Sequence, residues 1–389
     1  MTYATGRRFF DADSHLMELP GWLEAYADPD IRDRIRPLVL GGAGTLAEDA
    51  IDAARARKGN SEVAHALEES LMSAKGWHGL GAFDPAERTR ALDLLGFDAQ
   101  LVFSTFAPTQ YLGDDLELAF GGTRAHNRAM ADFCADDARL LPVALVPWGP
   151  PELTVQAVAE AIDLGCAAVH LPSRPTRHGL APTHPDYDGV WRRLTEHDVP
   201  FMLHIGGAGR LIPNEFHDNG VPVTDFLGGG ENIRAKDYMG ISHIPEVFLA
   251  ALIFDGVLER FPTLRGGCIE QGALWVAPWL RRLDLAQASF GRSERVLREL
   301  PCRPSQYVRD RLFFTPFPGE PVGWMIEQAG DHLFCFSSDY PHPEGTKDPI
   351  GRFEAEIGAT APAAQRRFYS DNFAAMMGSQ FESRTATRR

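Results

Sequence analysis

The feature that most limits how this chain can fold is an alternation. Eight short apolar runs, ending near Asp13, Ser104, Pro147, Leu171, His204, Glu270, Thr315 and Ser338, are separated by stretches with helical patterning. Short apolar runs of this kind are how strands buried on both faces read. Strand and helix alternating eight times predict an α/β fold, a parallel (β/α)8 TIM barrel. An open doubly wound sheet is the alternative, but no Gly-rich dinucleotide fingerprint follows a strand.

The helical stretches carry their own punctuation. Asp84 stands as an N-cap before Pro85, and Gly96 follows the last turn. Residues 151–165 and 186–198 read as helices too, the second capped by Asp186 with Val190, Trp191 and Leu194 facing inward. Two connections are too long for turns, about 16–83 after strand one and about 205–245 after strand five. Both follow a strand, so both are expected at the C-terminal face of the barrel, where active sites are built. A helical segment over about 350–389 closes the chain, its final helix packing through Phe368, Phe373 and Met376. Residues 1–389 are thus expected to form one domain.

Charge and cysteine usage remove several function classes. Lys and Arg number 38 against 53 Asp and Glu, a net charge of −15, which disfavours nucleic acid and anionic membrane surfaces as partners. The five cysteines are widely spaced without a C-x-x-C pair, so neither a disulfide framework nor a cysteine-based zinc site is expected. We find no leader-like N-terminus and no apolar run of the ~18 residues that a membrane helix needs, and expect a cytoplasmic location.

The chemistry concentrates at strand ends. In Asp11-Ala-Asp-Ser-His15, alternation points Asp11, Asp13 and His15 to one side. Polar groups aimed into a barrel mouth are costly unless they bind something, and Asp13 with His15 can grip one metal ion. His204 ends strand five, and Asp339 ends strand eight and opens Tyr-Pro-His342. Two imidazoles and two carboxylates form a mixed set suited to Zn²⁺, Mn²⁺ or Fe²⁺. His170, near the end of strand four, reads as structural. Arg174, Arg177 and His178 after strand four, and Arg210 after strand five, are candidate anchors for a substrate carboxylate.

Taken together, Asp11-Ala-Asp-Ser-His15, Phe201-Met-Leu-His204 and Ser338-Asp-Tyr-Pro-His342 resemble the amidohydrolase superfamily, in its aminocarboxymuconate semialdehyde decarboxylase-like branch. His184-Pro-Asp-Tyr-Asp-Gly-Val-Trp191 and Asp93-Leu-Leu-Gly-Phe-Asp-Ala-Gln100 are similar to it as well, so the resemblance runs from about Phe9 to Met377. It implies one divalent metal, zinc first and manganese second, held by Asp13, His15, His204 and Asp339. The family often has His-x-His on the first strand where this chain has Asp13-x-His15. Its decarboxylases carry a sixth-strand His, and Glu270 stands in that place here. Glu270 is then either an acid/base group or a residue that orients a ligand. Asp339 is the expected proton acceptor, with His342 beside it as a third catalytic candidate.

Our first reading is a metal-dependent hydrolase of an amide, lactone or similar bond in a small organic compound. The alternative is a non-oxidative decarboxylase of an aromatic or muconate-type acid. A ligand-binding barrel without turnover is the third. The resemblance also implies a homodimer, with the 275–283 helix and the C-terminal segment as candidate surfaces.

Overall fold

The structure is a computed structural model, and it describes residues 2–40, 43–57, 60–173, 179–206, 211–221, 233–379 and 381. Seven strands form one sheet in sequence order, every neighbour parallel. They are β1 (Phe10–Leu16), β2 (Ala99–Ser104), β3 (Leu140–Leu145), β4 (Ala168–His170), β5 (Phe201–His204), β6 (Gly266–Ile269) and β7 (Leu312–Phe314). Apart from Ser104 at the end of β2, every strand residue is buried. Helices cover the outside, so the sheet lies in a layer of apolar side chains on each face.

The eighth run forms no regular strand, yet it joins the sheet's two edges. Phe314 donates to the Leu333 carbonyl and Cys335 to that of Phe314, on the β7 side. Ala12 donates to Phe336, His15 to Tyr340 and Asp339 to Asp13, on the β1 side. The sheet is therefore curled, TIM-like, with Asp339 held by backbone bonds at the rim. β1 itself runs three residues beyond the expected end at Asp13, with a register break between Asp11 and Ser14.

Several local expectations hold. Asp84 caps the helix Pro85–Leu95 through the Glu87 amide, and Gly96 ends it at φ 73°. One cap is reassigned. His184, not Asp186, accepts the amide two residues on, because Pro185 starts a short 3-10 turn before the helix Asp188–Glu196. The inside of the sheet is filled by Phe10, Leu101, Val143, Met202, Ile269 and Phe313, and at the N-terminal end by Phe373, Met376 and Phe381. The helix Val276–Phe290 also turns inward: Trp279, Leu280 and Leu283 are buried.

Against the sequence reading, the stretch Ala235–Phe254 is long and apolar enough, by length and composition, to cross a membrane. Two helices share it, Ala235–Gly240 and His243–Phe254, and Phe248, Leu249, Leu252 and Ile253 lie in the main core. The stretch escaped notice because buried Glu246, paired with Arg282 at 2.6 Å, and several polar residues interrupt it.

Candidate active site

Parallel strands put their C-terminal ends on one rim, and the polar strand-end residues meet there. Asp13 and His15 come from β1, His204 from the last position of β5, and Glu270 from just past β6. One donor atom from each of these four lies within 4.8 Å of the others. Asp13 Oδ1 is 3.2 Å from His15 Nε2 and 3.4 Å from His204 Nε2, and Glu270 Oε2 is 3.3 Å from His204 Nε2. Asp339 Oδ1 stands 3.6 Å from His15 Nε2 and 3.1 Å from His342 Nδ1. Glu270 and Asp339 both adopt left-handed backbone, at φ 53° and 54°. Such conformations are costly for non-glycine residues and gather at functional sites.

Three observations show that this group suits a cation. The set holds three carboxylates and two imidazoles. Both ring nitrogens of His15 and Asp339 Oδ1 are buried without a hydrogen-bond partner among the described residues. His15 cannot balance the charge as an imidazolium either, since burial, and next the neighbouring His342, lower its pKa to about 3. Buried acceptors with no donor of this kind are what a metal site leaves when seen without its ion.

The carboxylates differ in their ease of ionisation. Burial opposes the charge on Asp13, but His15 and His204 outweigh it and hold its carboxyl well below the usual range. Asp339 goes the other way. Burial pushes it up to about 6, against the pull of His342 and with the charge of Asp13 adding to the rise. Asp11, buried and bonded to Ser338 and Gln100, is raised to about 7, chiefly by burial.

Neighbouring groups fix these side chains. Asp11, which alternation points to the same side as Asp13 and His15, does not join the donors. It accepts from the Ser338 amide (2.7 Å), the Ser338 hydroxyl (2.6 Å) and Gln100 (2.8 Å), and so pins the segment that carries Asp339. The register break in β1 is what separates it from Asp13. His342 is buried and stacked on His15, ring centres 3.5 Å apart, with its Nε2 2.9 Å from the Thr105 hydroxyl. The Thr105 loop is in turn held by Glu18, whose buried carboxylate accepts from the amides of Thr105, Phe106 and Ala107. Arg88, buried, donates to the carbonyls of Gly81 and His15 and to Gln100. Glu18, Thr105 and Arg88 were missed from sequence, where none stands in a motif. Trp77, in the long connection after β1, is buried, stacked on Phe106 and bonded to the Glu18 carbonyl. The four anchors Arg174, Arg177, His178 and Arg210 lie outside the described residues.

Two cavities flank the donors. One, of about 520 Å³, lies against β2–β4 and is bordered by Phe103, Phe120, Trp148, His170 and His204. The other, of about 480 Å³, is bordered by Asp13, Glu270, Asp339, Tyr238 and Arg352. Ile205 borders both.

A family model described as amidohydrolase matches residues 11–378, from the first carboxylate of β1 to the end of the last helix. The chain belongs to the amidohydrolase family. The curled parallel sheet and the buried His/Asp/Glu group are the features of this chain that such membership accounts for. Comparison with curated proteins gives no match. Among solved structures, an amidohydrolase from Mycobacterium avium subsp. paratuberculosis is similar at 19% identity and a TM-score of 0.72, covering 96% of this chain and 100% of that one. A 5-carboxyvanillate decarboxylase from Novosphingobium aromaticivorans, complexed with manganese and a nitrobenzoic acid, is similar at 16% identity and a TM-score of 0.63, covering 97% and 99%. A dihydroxybenzoic acid decarboxylase from Polaromonas, with manganese and 2-nitroresorcinol, gives 14%, 0.61, 99% and 98%. These likenesses establish a shared fold.

Proposed function

We propose that this amidohydrolase-family metalloenzyme removes carbon dioxide, without oxidation, from a small aromatic acid. The observation that carries the reading is a carboxylate-rich donor group between two cavities, with His204 bordering one walled by Phe103, Phe120 and Trp148 and Asp13, Glu270 and Asp339 bordering the other. The structurally similar decarboxylases bound to manganese support it, and they favour decarboxylation, the alternative from sequence, over hydrolysis.

In this reading Asp13, His15 and His204 hold the ion, with Glu270 and Asp339 beside them. An oxygen-rich set of this kind suits manganese better than zinc, which prefers four tight nitrogen or sulfur donors. Once bound, the ion supplies the positive charge that offsets anionic substrate oxygens at a desolvated site. Asp339 is the proton group. Burial opposes its charge and favours the protonated carboxyl before an ion binds. When the bond between ring and carboxylate breaks, carbon dioxide departs and the electron pair stays on the ring carbon. That carbon takes the proton from Asp339, which regains one from solvent. His342, 3.1 Å from Asp339, orients the donor. Phe103 and Trp148 keep water from the ring.

Hydrolysis keeps one observation in its favour. Asp13, Glu270 and Asp339 border the second cavity, from which water can reach them. The test separates the two. Manganese-loaded protein is given hydroxybenzoates and lactones in ¹⁸O-water. Carbon dioxide release with no label in the remaining product supports decarboxylation; labelled acid from a lactone or amide supports hydrolysis. Neither product, with no bound metal, sinks both and favours a ligand-binding barrel.

A further inference from the structure

The second cavity is where three of the donor carboxylates face open space, and it holds a charge that the reaction above does not use. Asp13, Glu270 and Asp339 border it, and so does Arg352, the one Lys or Arg among its described bordering residues. Arg352 is exposed, and its guanidinium makes no hydrogen bond or ion pair among the described residues. An exposed arginine is ordinary on a protein surface. This one stands on the wall of the cavity that the carboxylates share.

The helix that carries it, Pro349–Ile357, is firmly placed. Asp348 caps it through the Gly351 amide at 3.0 Å and accepts from the Tyr3 hydroxyl at 2.8 Å. Phe353 is buried against Phe336 and Phe368, with ring centres 5.8 and 5.2 Å away. Gly351 and Phe353 do not border the cavity, so it is the Arg352 side chain that reaches the wall. Tyr238 and Phe317, ring centres 5.9 Å apart, make an aromatic stretch of the same wall. A volume of about 480 Å³ is of the size that takes one small substituted ring. Glu344 adds a fourth carboxylate to the border, so an acid entering here is repelled unless each of its charged ends meets a cation. The ion offsets the reacting carboxylate. Arg352 is the group that can offset a second one, because its planar fork matches a carboxylate with two parallel hydrogen bonds.

We propose that the second cavity receives the end of the substrate that does not react, and that Arg352 is a specificity residue pairing there with a second carboxylate. The substrate class is then an aromatic dicarboxylic acid. The inference rests on the aromatic-acid reading of the site.

Binding without turnover tests it. Dissociation constants are measured with manganese-loaded protein for benzoate and for its 3- and 4-carboxy derivatives, isophthalate and terephthalate. The parent binds at least one dicarboxylate roughly tenfold tighter than benzoate. Arg352→Leu loses that preference while keeping benzoate affinity and manganese content, and Arg352→Lys keeps part of it. Lys347→Gln, at an exposed lysine that does not border the cavity, retains the full preference, which separates pairing from a general loss of positive charge. Thr346→Trp, in the second cavity, weakens the dicarboxylates, and Leu112→Trp, in the β2–β4 cavity, does not. An unchanged preference in Arg352→Leu, or an equal loss in Lys347→Gln, overturns the role of Arg352. Dicarboxylate loss in Leu112→Trp but not Thr346→Trp overturns the cavity assignment. Carbon dioxide released from a monocarboxylic acid, with no dicarboxylate preference in the parent, overturns this inference and leaves the reaction standing. A preference that Arg352→Leu removes, with no carbon dioxide released from any acid, keeps this inference and sinks the reaction.

Discussion

The two ends of the curled sheet are built on opposite terms. At the N-terminal end Phe10, Phe373, Met376 and Phe381 close against one another, all apolar and all buried. At the C-terminal end three carboxylates and two imidazoles crowd together, two of the carboxylates on left-handed backbone, with His15 and Asp339 atoms left without hydrogen bonds. The first arrangement gains by burying apolar surface and lowers the free energy of the fold. The second holds charge out of water and raises it, and becomes favourable only when a cation binds. One end keeps the barrel folded; the other uses that rigidity to hold groups that repel one another.

Breaking either end separates the two roles. The largest effect belongs to the rim. His204→Ala, or removal of metal by a chelator, abolishes bound manganese and lowers turnover at least ~10³-fold, about 4 kcal/mol or more. Elemental analysis and carbon dioxide release measure it, and full activity without metal would overturn the site. Phe373→Ala at the opposite end does the reverse. It costs about 3–5 kcal/mol of folding stability, read by denaturant melts, while metal per folded chain stays unchanged.

A third measurement uses a buried histidine that belongs to neither end. Burial, partly offset by its bond to Asn127, lowers His126 to about 4. The unfolded chain therefore binds a proton between pH 6.5 and 4 that the folded chain refuses. Stability is intact above pH 6.5, falls as pH drops through that window, and levels off below it. The loss is about 3 kcal/mol. His126→Leu should flatten this part of the stability profile and leave metal content alone; an equally steep acid limb in the variant would refute the assignment.

The smallest effect sharpens the rim. Thr105→Val removes the hydroxyl 2.9 Å from His342 Nε2. If His342 orients Asp339, turnover falls roughly tenfold, about 1.4 kcal/mol, and the acid limb of the kcat profile shifts, with metal content unchanged. Equal kcat and an unshifted profile would mean that Thr105 only supports the loop.

The seven strands were legible because each is an apolar run bounded by polar residues, and the donors because they stand at the ends of those runs. The eighth run was legible as a segment that completes the sheet, although its pairing is too irregular for a strand. Glu270 was marked as a catalytic or orienting group; its place 3.3 Å from His204 among the donors is a matter of distance that no spacing encodes. Alternation points Asp11 to the same side as Asp13 and His15, but it is a local rule, and a register break between strands overrides it.

The sequence by itself determined the periodicity, and with it a parallel α/β sheet whose polar strand ends share one rim. Hydrophobic alternation and capping act over a few residues, so a linear pattern carries them. Only the tertiary structure decided which polar groups meet, which are left without partners, and where two cavities open beside them. Those depend on the approach of residues as far apart in the chain as Asp13, His204 and Glu270, set by the curl of the sheet and the packing that closes it.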